Sequence, residues 1–352
     1  MAHKYNKGEW SELYAFIYAL ARGEIFGADK DLERDPNTKY DILSVFQKNN
    51  TYHRDLTQGN IIFEIDDTNY KIPISEFENI SESLFLEIKN GKGRTFEIPS
   101  IEPFIKNLKI SSLKASSKSK GDLTFKIHDV FTNSKPILNF SVKSYIGSKP
   151  TLLNSSAATR FDFKLSKNLS DLELNEINEI KTSSKIVDRI KKIHDLNANL
   201  IYNSVSSDTF KKNLQMIDYR LPEILGRLYL ESYFVKGKKI PRVVSSFIDK
   251  NKSEDNELIE YKLRQFLIAC ALGLVPDTSW KGLDEATGGF LVVKDNADVL
   301  CYHIYNRNNL SDYLFNHTSF DTPSTGRHAI GEVYKDVNNQ QWFSLNIQIR
   351  FF

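Results

Sequence analysis

Two cysteines in 352 residues leave no material for a disulfide framework. Cys270 lies in a helical apolar run and Cys301 in a strand-like one, so both read as buried thiols of a reducing compartment. No CxxC pair and no clustered Cys/His spacing points to zinc. An excess of one charge is also missing: 47 Lys+Arg stand against 45 Asp+Glu, a formal net +2. That excludes a histone-like polycation and leaves open a local basic face for DNA. No apolar run reaches transmembrane length, and residues 1–8 carry Lys4 and Lys7 but no apolar signal core. We therefore expect a soluble, cytoplasmic protein with no membrane partner. Internal repeats are absent as well.

What is present is enough to bury a sizeable core, since 40% of the residues are hydrophobic. At roughly 150 residues per domain the length suggests two units. Residues 9–22 repeat apolar side chains at helical spacing, with Trp10, Leu13, Phe16, Ile17 and Leu20 on one stripe. Strand patterns follow at 61–65 and 70–74, and helical ones at 75–89 and 101–108. The Ser- and Lys-rich run 111–120 has almost nothing to bury and reads as a loop that a polyanion would order. Strands at 123–128, 137–143 and 161–165 make a β-rich centre. Helical periodicity then governs 172–193, 210–234 and 258–274, interrupted by Pro241 and the polar run 250–255. The last stretch returns to strands at 290–293, 299–304, 330–334 and 342–350, around a short helix at 308–316. We expect an α/β protein with a core at 1–170, a helical subdomain at 171–285 and a β-rich segment at 286–352.

The chemistry concentrates in Gly121-Asp122-Leu-Thr-Phe-Lys-Ile-His128, a turn, and Leu138-Asn-Phe-Ser-Val-Lys143. A hairpin sets the start of its first strand beside the end of its second, which brings Asp122 within reach of Lys143. Phosphodiester hydrolysis uses a carboxylate to hold Mg²⁺ and a cation to orient the attacking water. This is the D…(D/E)xK logic of many nucleases, with Ser141 where the second acid is expected. On the residues alone, a turn aspartate and a solvated strand-end lysine form the more ordinary reading. A real site would need its missing carboxylate from elsewhere. Glu9 and Glu12, three apart on the first helix, share a face and are the candidates. Attraction to the helix N-terminus accounts well for Glu9 and less well for Glu12.

The segment Asn6-Lys-Gly-Glu-Trp-Ser-Glu12-Leu-Tyr resembles the start of the HpaII-type restriction endonucleases. So do Lys120-Gly-Asp122 with Ile-His-Asp129, Phe140-Ser-Val-Lys143-Ser, Gly147-Ser, and Thr151-Leu-Leu-Asn-Ser155 with Thr159. Towards the other end, Thr287-Gly-Gly-Phe, Tyr302-His303, Asn306-Arg307, Thr322-Pro-Ser-Thr-Gly-Arg327-His328 and Leu345-Asn-Ile-Gln-Ile-Arg-Phe351 continue the likeness. The matches run in order over nearly the whole chain. The resemblance implies a PD-(D/E)xK-like core with a mixed β-sheet and an additional helical subdomain. It implies a type II restriction endonuclease that breaks double-stranded DNA at a short site, with CCGG a candidate. On that footing Asp122 and Lys143 are catalytic, Ser141 holds the variant acid position, and Asp122 with the Val142 carbonyl binds Mg²⁺. Glu12, one turn inside the helix, is our choice for the outsourced acid. One departure stands out: Arg160 follows Thr159 where Asn is expected.

Base reading needs side chains with directed donors and acceptors at groove edges. Asn154, Ser155, Ser156, Thr159 and Arg160 follow the hairpin directly, although any of them also suits an ordinary polar loop. Ser324, Thr325, Arg327 and His328 form a second cluster in a tight turn, with a structural hydrogen bond an equal account of His328. Lys114, Lys118 and Lys120 fit phosphate contacts, because a flexible ammonium reads charge rather than base identity. Lys236, Lys238 and Lys239 are further backbone candidates. A palindromic site calls for a homodimer on DNA, with apolar helices at 210–234 and 258–274 as its face. A cognate DNA methyltransferase is the functional partner of such a system. Two rivals remain at this level: a DNA-binding protein that has lost cleavage, which Ser141 keeps open, and a repair nuclease.

Overall fold

Asn6 and Gly23 set the limits of the first helix, α1 (Lys7–Arg22). Asn6 Oδ1 accepts the Glu9 N–H at 3.0 Å and Glu9 Oε2 accepts the Asn6 N–H at 2.9 Å, a reciprocal cap. Gly23 stops the helix with φ at 71°, in the left-handed region that a Cβ disfavours. Every residue from Leu13 to Ala21 is buried, so α1 is covered all round instead of on one stripe. Ala15, Ala19 and Ala21 make that possible, because their short side chains let neighbours approach on the side away from the stripe.

The computed structural model describes residues 3–48, 50–110, 121–130, 132–323 and 330–352. Contacts group the chain into two units. The first comprises Met1–Pro150, Ala271–Gly273 and Asp284–Tyr313; the second comprises Thr151–Cys270, Leu274–Leu283 and Leu314–Phe352. The division differs from the sequence-based one at 170 and 285, because the strands near 290 and 300 enter the first unit's sheet. Architecture is mixed α/β throughout. Among the described residues no helix is long and apolar enough to cross a membrane.

The first unit is built on β1 (Glu24–Ala28), β2 (Arg34–Gln47), β3 (Asn50–Asp55), β4 (Asn60–Ile65), β5 (Thr68–Pro73), α2 (Ile74–Asn90), β6 (Leu123–His128), β7 (Ile137–Ser144), β8 (Gly289–Val293) and β9 (Val299–His303). Its nine-stranded sheet runs β1-β9-β8-β7-β6-β2-β3-β4-β5. β6 and β7 are antiparallel, with Leu123 opposite Phe140. β8 lies parallel to β7 and sets Val292 beside Lys143. β1 also pairs with β2, and Asp41 is flanked by Glu24 on one side and His128 on the other. Six strands therefore close into a ring: β1, β9, β8, β7, β6 and β2. Phe125, Phe140, Tyr40 and His303 line its inner face, where the Tyr40 and His303 rings stack 4.6 Å apart. α1 packs against α2 and β7, sharing one core with these strands.

The second unit carries two smaller sheets. Leu200–Val205, Arg160–Leu165, Gln341–Asn346 and Val333–Lys335 form one in that order; Thr151–Leu153, Gln348–Phe351 and Thr318–Asp321 form the other. Several expected elements prove to be two. The helix at 172–193 divides into Asp171–Asn178 and Lys185–Asp195. That at 210–234 divides into Asp208–Ile217 and Leu221–Ser232, where Pro222 supplies the first turn of the second piece. The strand at 342–350 divides at Ile347, whose N–H leaves both sheets to reach the Thr159 carbonyl at 2.9 Å.

Candidate active site

Asp122 stands at the last position before β6, held from two sides by β7. Its own N–H donates to the Phe140 carbonyl at 2.9 Å, and its Oδ2 accepts the Val142 N–H at 2.7 Å. Both contacts use backbone groups, so the carboxylate is positioned by the hairpin register and not by rotamer choice alone. Backbone groups two apart on a strand face the same way; the Val142 carbonyl is thus turned to the side that Asp122 occupies. Ser141 lies across the hairpin from Asp122, almost fully buried, with its hydroxyl 3.4 Å from the same Oδ2. That distance is a weak hydrogen bond, and a serine in this place adds no charge.

Lys143 is the last residue but one of the same strand, half-buried, two residues beyond Ser141. Next to it, the Ser144 hydroxyl is 2.8 Å from that of Ser11 on α1. This contact pins the helix to the strand end and brings the following helical residue, Glu12, towards the β6–β7 hairpin. Burial pushes the Glu12 carboxyl up to about 8, the nearby charge of Asp122 adds to the rise, and Lys143 opposes it. The two glutamates of α1 have separated roles. Glu9 closes the helix cap, whereas Glu12 lies within the electrostatic reach of Asp122 and Lys143. Among the described residues no set of three or more His, Cys, Asp or Glu gathers as a metal cluster.

The remaining sequence candidates are distributed elsewhere. Asn154, Ser155, Thr159 and Arg160 belong to the second unit. Asn154 is exposed. The Ser155 hydroxyl is buried without a partner among the described residues. Thr159 is fully buried, and its Oγ1 accepts the Ser156 N–H at 3.0 Å, so it shapes the turn instead of presenting a donor. Arg160 is committed three times: Nε to Asp162 at 3.0 Å, and Nη2 to the Tyr334 hydroxyl at 2.9 Å and to Ser344 Oγ at 2.8 Å. Lys238 donates to Thr322 Oγ1 at 2.6 Å and lies over the Tyr233 ring; Lys239 lies over Phe352. Lys236 is exposed. Lys114, Lys118, Lys120, Ser324, Thr325, Arg327 and His328 lie outside the described residues.

Sequence reasoning missed Ser11 and Ser144, the pair that delivers Glu12. They are 133 positions apart and carry no shared motif, so nothing local marks them. Turning to known proteins, the model of the HpaII restriction endonuclease family matches residues 6–351. The Type II restriction enzyme HpaII of Haemophilus parainfluenzae is 41% identical over 356 residues, which cover 98% of this chain and 98% of that protein. No solved structure matches this chain.

Proposed function

We propose a mechanism on one premise: the chain belongs to the HpaII restriction endonuclease family and is a type II restriction endonuclease acting on DNA. On this reading the β6–β7 hairpin is a PD-(D/E)xK-like centre with Ser141 in the variant acid position. The observation that supports it best is the convergence of Glu12, from α1, on Asp122 and Lys143. Two neighbouring carboxylates and a backbone carbonyl make an all-oxygen donor set, which suits a hard divalent cation. Asp122, Glu12 and the Val142 carbonyl would hold Mg²⁺, an ion that commonly takes only one or two carboxylates and keeps several waters. When bound, it neutralises phosphate charge and lowers the pKa of water.

The chain's own groups do the rest. Lys143 donates a hydrogen bond to the attacking water and keeps its oxygen aimed at phosphorus. That oxygen bonds to phosphorus and the water's proton passes to solvent, while one P–O ester bond breaks and its sugar oxygen leaves, taking up a proton from solvent. The Val142 N–H fixes the Asp122 carboxylate throughout, so no reorganisation is needed at the moment of attack.

The substrate we assign is double-stranded DNA with a CCGG-like site, cut on both strands. Asn154 and Ser155, with Ser324, Thr325, Arg327 and His328, are the proposed reading elements, carried on a turn that buried Thr159 and the Asp162-paired Arg160 support; Lys118 and Lys120 meet phosphates. A homodimer on DNA fits a palindrome. Yet Leu214, Leu221, Leu225, Leu228, Leu263 and Leu267 are buried within the chain, and the large apolar side chains left exposed at 210–234 and 258–274 are Met216, Tyr219, Phe234, Leu258 and Tyr261. The protein would work in the cytoplasm beside a cognate DNA methyltransferase. Incubation with plasmid and Mg²⁺ tests the whole reading: discrete fragments are expected, while smearing, or binding without cutting, overturns it.

A further inference from the structure

The outer face of the β6–β7 hairpin carries polar side chains apart from the exposed Ile137, opposite the inner face that holds Leu123, Phe125, Ile127, Phe140 and Val142 in the core. From the register, the outward pairs are Asp122 with Ser141, Thr124 with Asn139, and Lys126 with Ile137. Thr124 Oγ1 donates to Asn139 Oδ1 at 2.7 Å, which leaves the amide nitrogen of Asn139 a donor with no partner among the described residues. The Asn139 backbone is itself clamped: its N–H donates to Thr287 Oγ1 at 3.2 Å and its carbonyl accepts the Gly288 N–H at 2.7 Å. Lys126 is half-buried and has no ion-pair or hydrogen-bond partner among the described residues. Further along, charge is compensated again, since Lys39 pairs with Glu24 at 3.1 Å and with Asp41 at 3.5 Å. Between Asp122 and that cluster the hairpin presents only neutral or cationic groups.

We propose that this face is a DNA-backbone track, in which Lys126 and the Asn139 amide bind phosphates beside the one being cut. The proposal rests on the endonuclease reading above and extends its substrate contact from the catalytic centre down the hairpin. At about 3.4 Å per residue, Lys126 lies about 14 Å along the strand from Asp122, far enough to meet a different phosphate. A clamped strand gives those donors a fixed spacing, which an exposed loop lysine lacks. Phosphate contact by an unpaired ammonium releases counterions and gives affinity without sequence preference.

The test uses the full chain and two duplexes of equal length, one with CCGG and one without. Dissociation constants are measured between 50 and 200 mM salt for wild type, Lys126→Gln and Lys39→Gln. Each lost phosphate contact makes the slope of log affinity against log salt shallower by about 0.9. Lys126→Gln should show that change on both duplexes, and Lys39→Gln, whose charge is already paired, should not. An unchanged slope for Lys126→Gln overturns the track while plasmid cleavage by wild type leaves the endonuclease reading standing. Equal changes for both variants overturn it too, because net charge then suffices. A wild type that binds neither duplex overturns both.

Discussion

The two units treat a carboxylate in opposite ways. In the second, Asp162 is answered on every side: by Arg160 Nε at 3.0 Å, by Ser344 Oγ at 2.6 Å and by the Ser206 hydroxyl. Arg160 spends its remaining contacts on Tyr334 and Ser344. In the first unit the pKa of the Glu12 carboxyl is raised by burial first and then by the like charge of Asp122, with Lys143 as the opposing influence. Full compensation inside the chain makes Arg160–Asp162 part of the scaffold. On the proposed mechanism, the raised pKa of Glu12 beside the charge of Asp122 marks the place where an added cation would lower the energy. The presence of charged residues, which is what a sequence displays, does not separate these cases; the balance of their partners does.

The comparison breaks most visibly if the first-unit charges are dispensable. Asp122→Asn and Lys143→Ala should each slow cleavage by about 10²- to 10⁴-fold, the range for a group that manages the reacting proton or water. Binding to duplex DNA should survive both changes. Single-turnover cleavage and gel-shift titration read the two quantities apart, and a fully active Lys143→Ala enzyme ends the mechanism.

His303 sharpens the contrast from a third direction, because one of its two ring nitrogens is buried without a partner among the described residues. Its Nδ1 accepts the Tyr305 N–H at 3.3 Å, and its Nε2 is buried without a partner among the described residues. Burial pulls its pKa down to about 4, against a smaller opposing pull from Asp129. The folded state therefore keeps the ring neutral while the unfolded chain takes up a proton below about 6.5. Stability from this group is fully present above that pH and is lost as pH falls towards 4, by about 3 kcal/mol. Urea unfolding at pH 7 and pH 4.5 should show the loss, and His303→Phe should remove this part of it.

Glu12→Gln comes next. It should raise the Mg²⁺ concentration needed for half-maximal cleavage by about 10- to 100-fold, in line with loss of a group that supports a metal. A variant with an unaltered Mg²⁺ requirement removes the outsourced carboxylate and leaves Asp122 and Lys143 in place. The smallest effect is expected in the second unit. Arg160→Ala should cost about 1 kcal/mol of stability, since the pair with Asp162 is only partly buried. Lost DNA affinity with unchanged stability would turn that network into a reading device and invert the comparison.

Legibility in the sequence followed distance along the chain. The first helix, the hairpin with Asp122 and Lys143, and the strands near 290 and 300 each have a local pattern, and each is present. β2 was not legible: Arg34, Asp35, Pro36 and Asn37 open it with turn-like residues, and its strand identity comes from β1, β6 and β3 on its flanks. Leu200–Val205 was hidden for the same reason, since its pattern depends on Arg160–Leu165 beside it. At the site, Glu12 could be named because helical spacing set it apart from the capping Glu9. Ser11 with Ser144 could not, for a hydroxyl pair across 133 positions has no signature before the chain folds.

The place of β8 in the sheet has a consequence for biosynthesis. The strand bearing Lys143 is complete at residue 144, but its parallel neighbour is not made until residues 289–293. Until then one edge of β7 offers unpaired backbone groups, and the ring that stiffens the hairpin stands open. Pairing over so long a separation also forms late in folding. A nascent or prematurely terminated chain thus carries its lysine on an unfinished sheet. On the proposed mechanism, cleavage competence would arrive only once residues 289–293 have been made and paired with that strand.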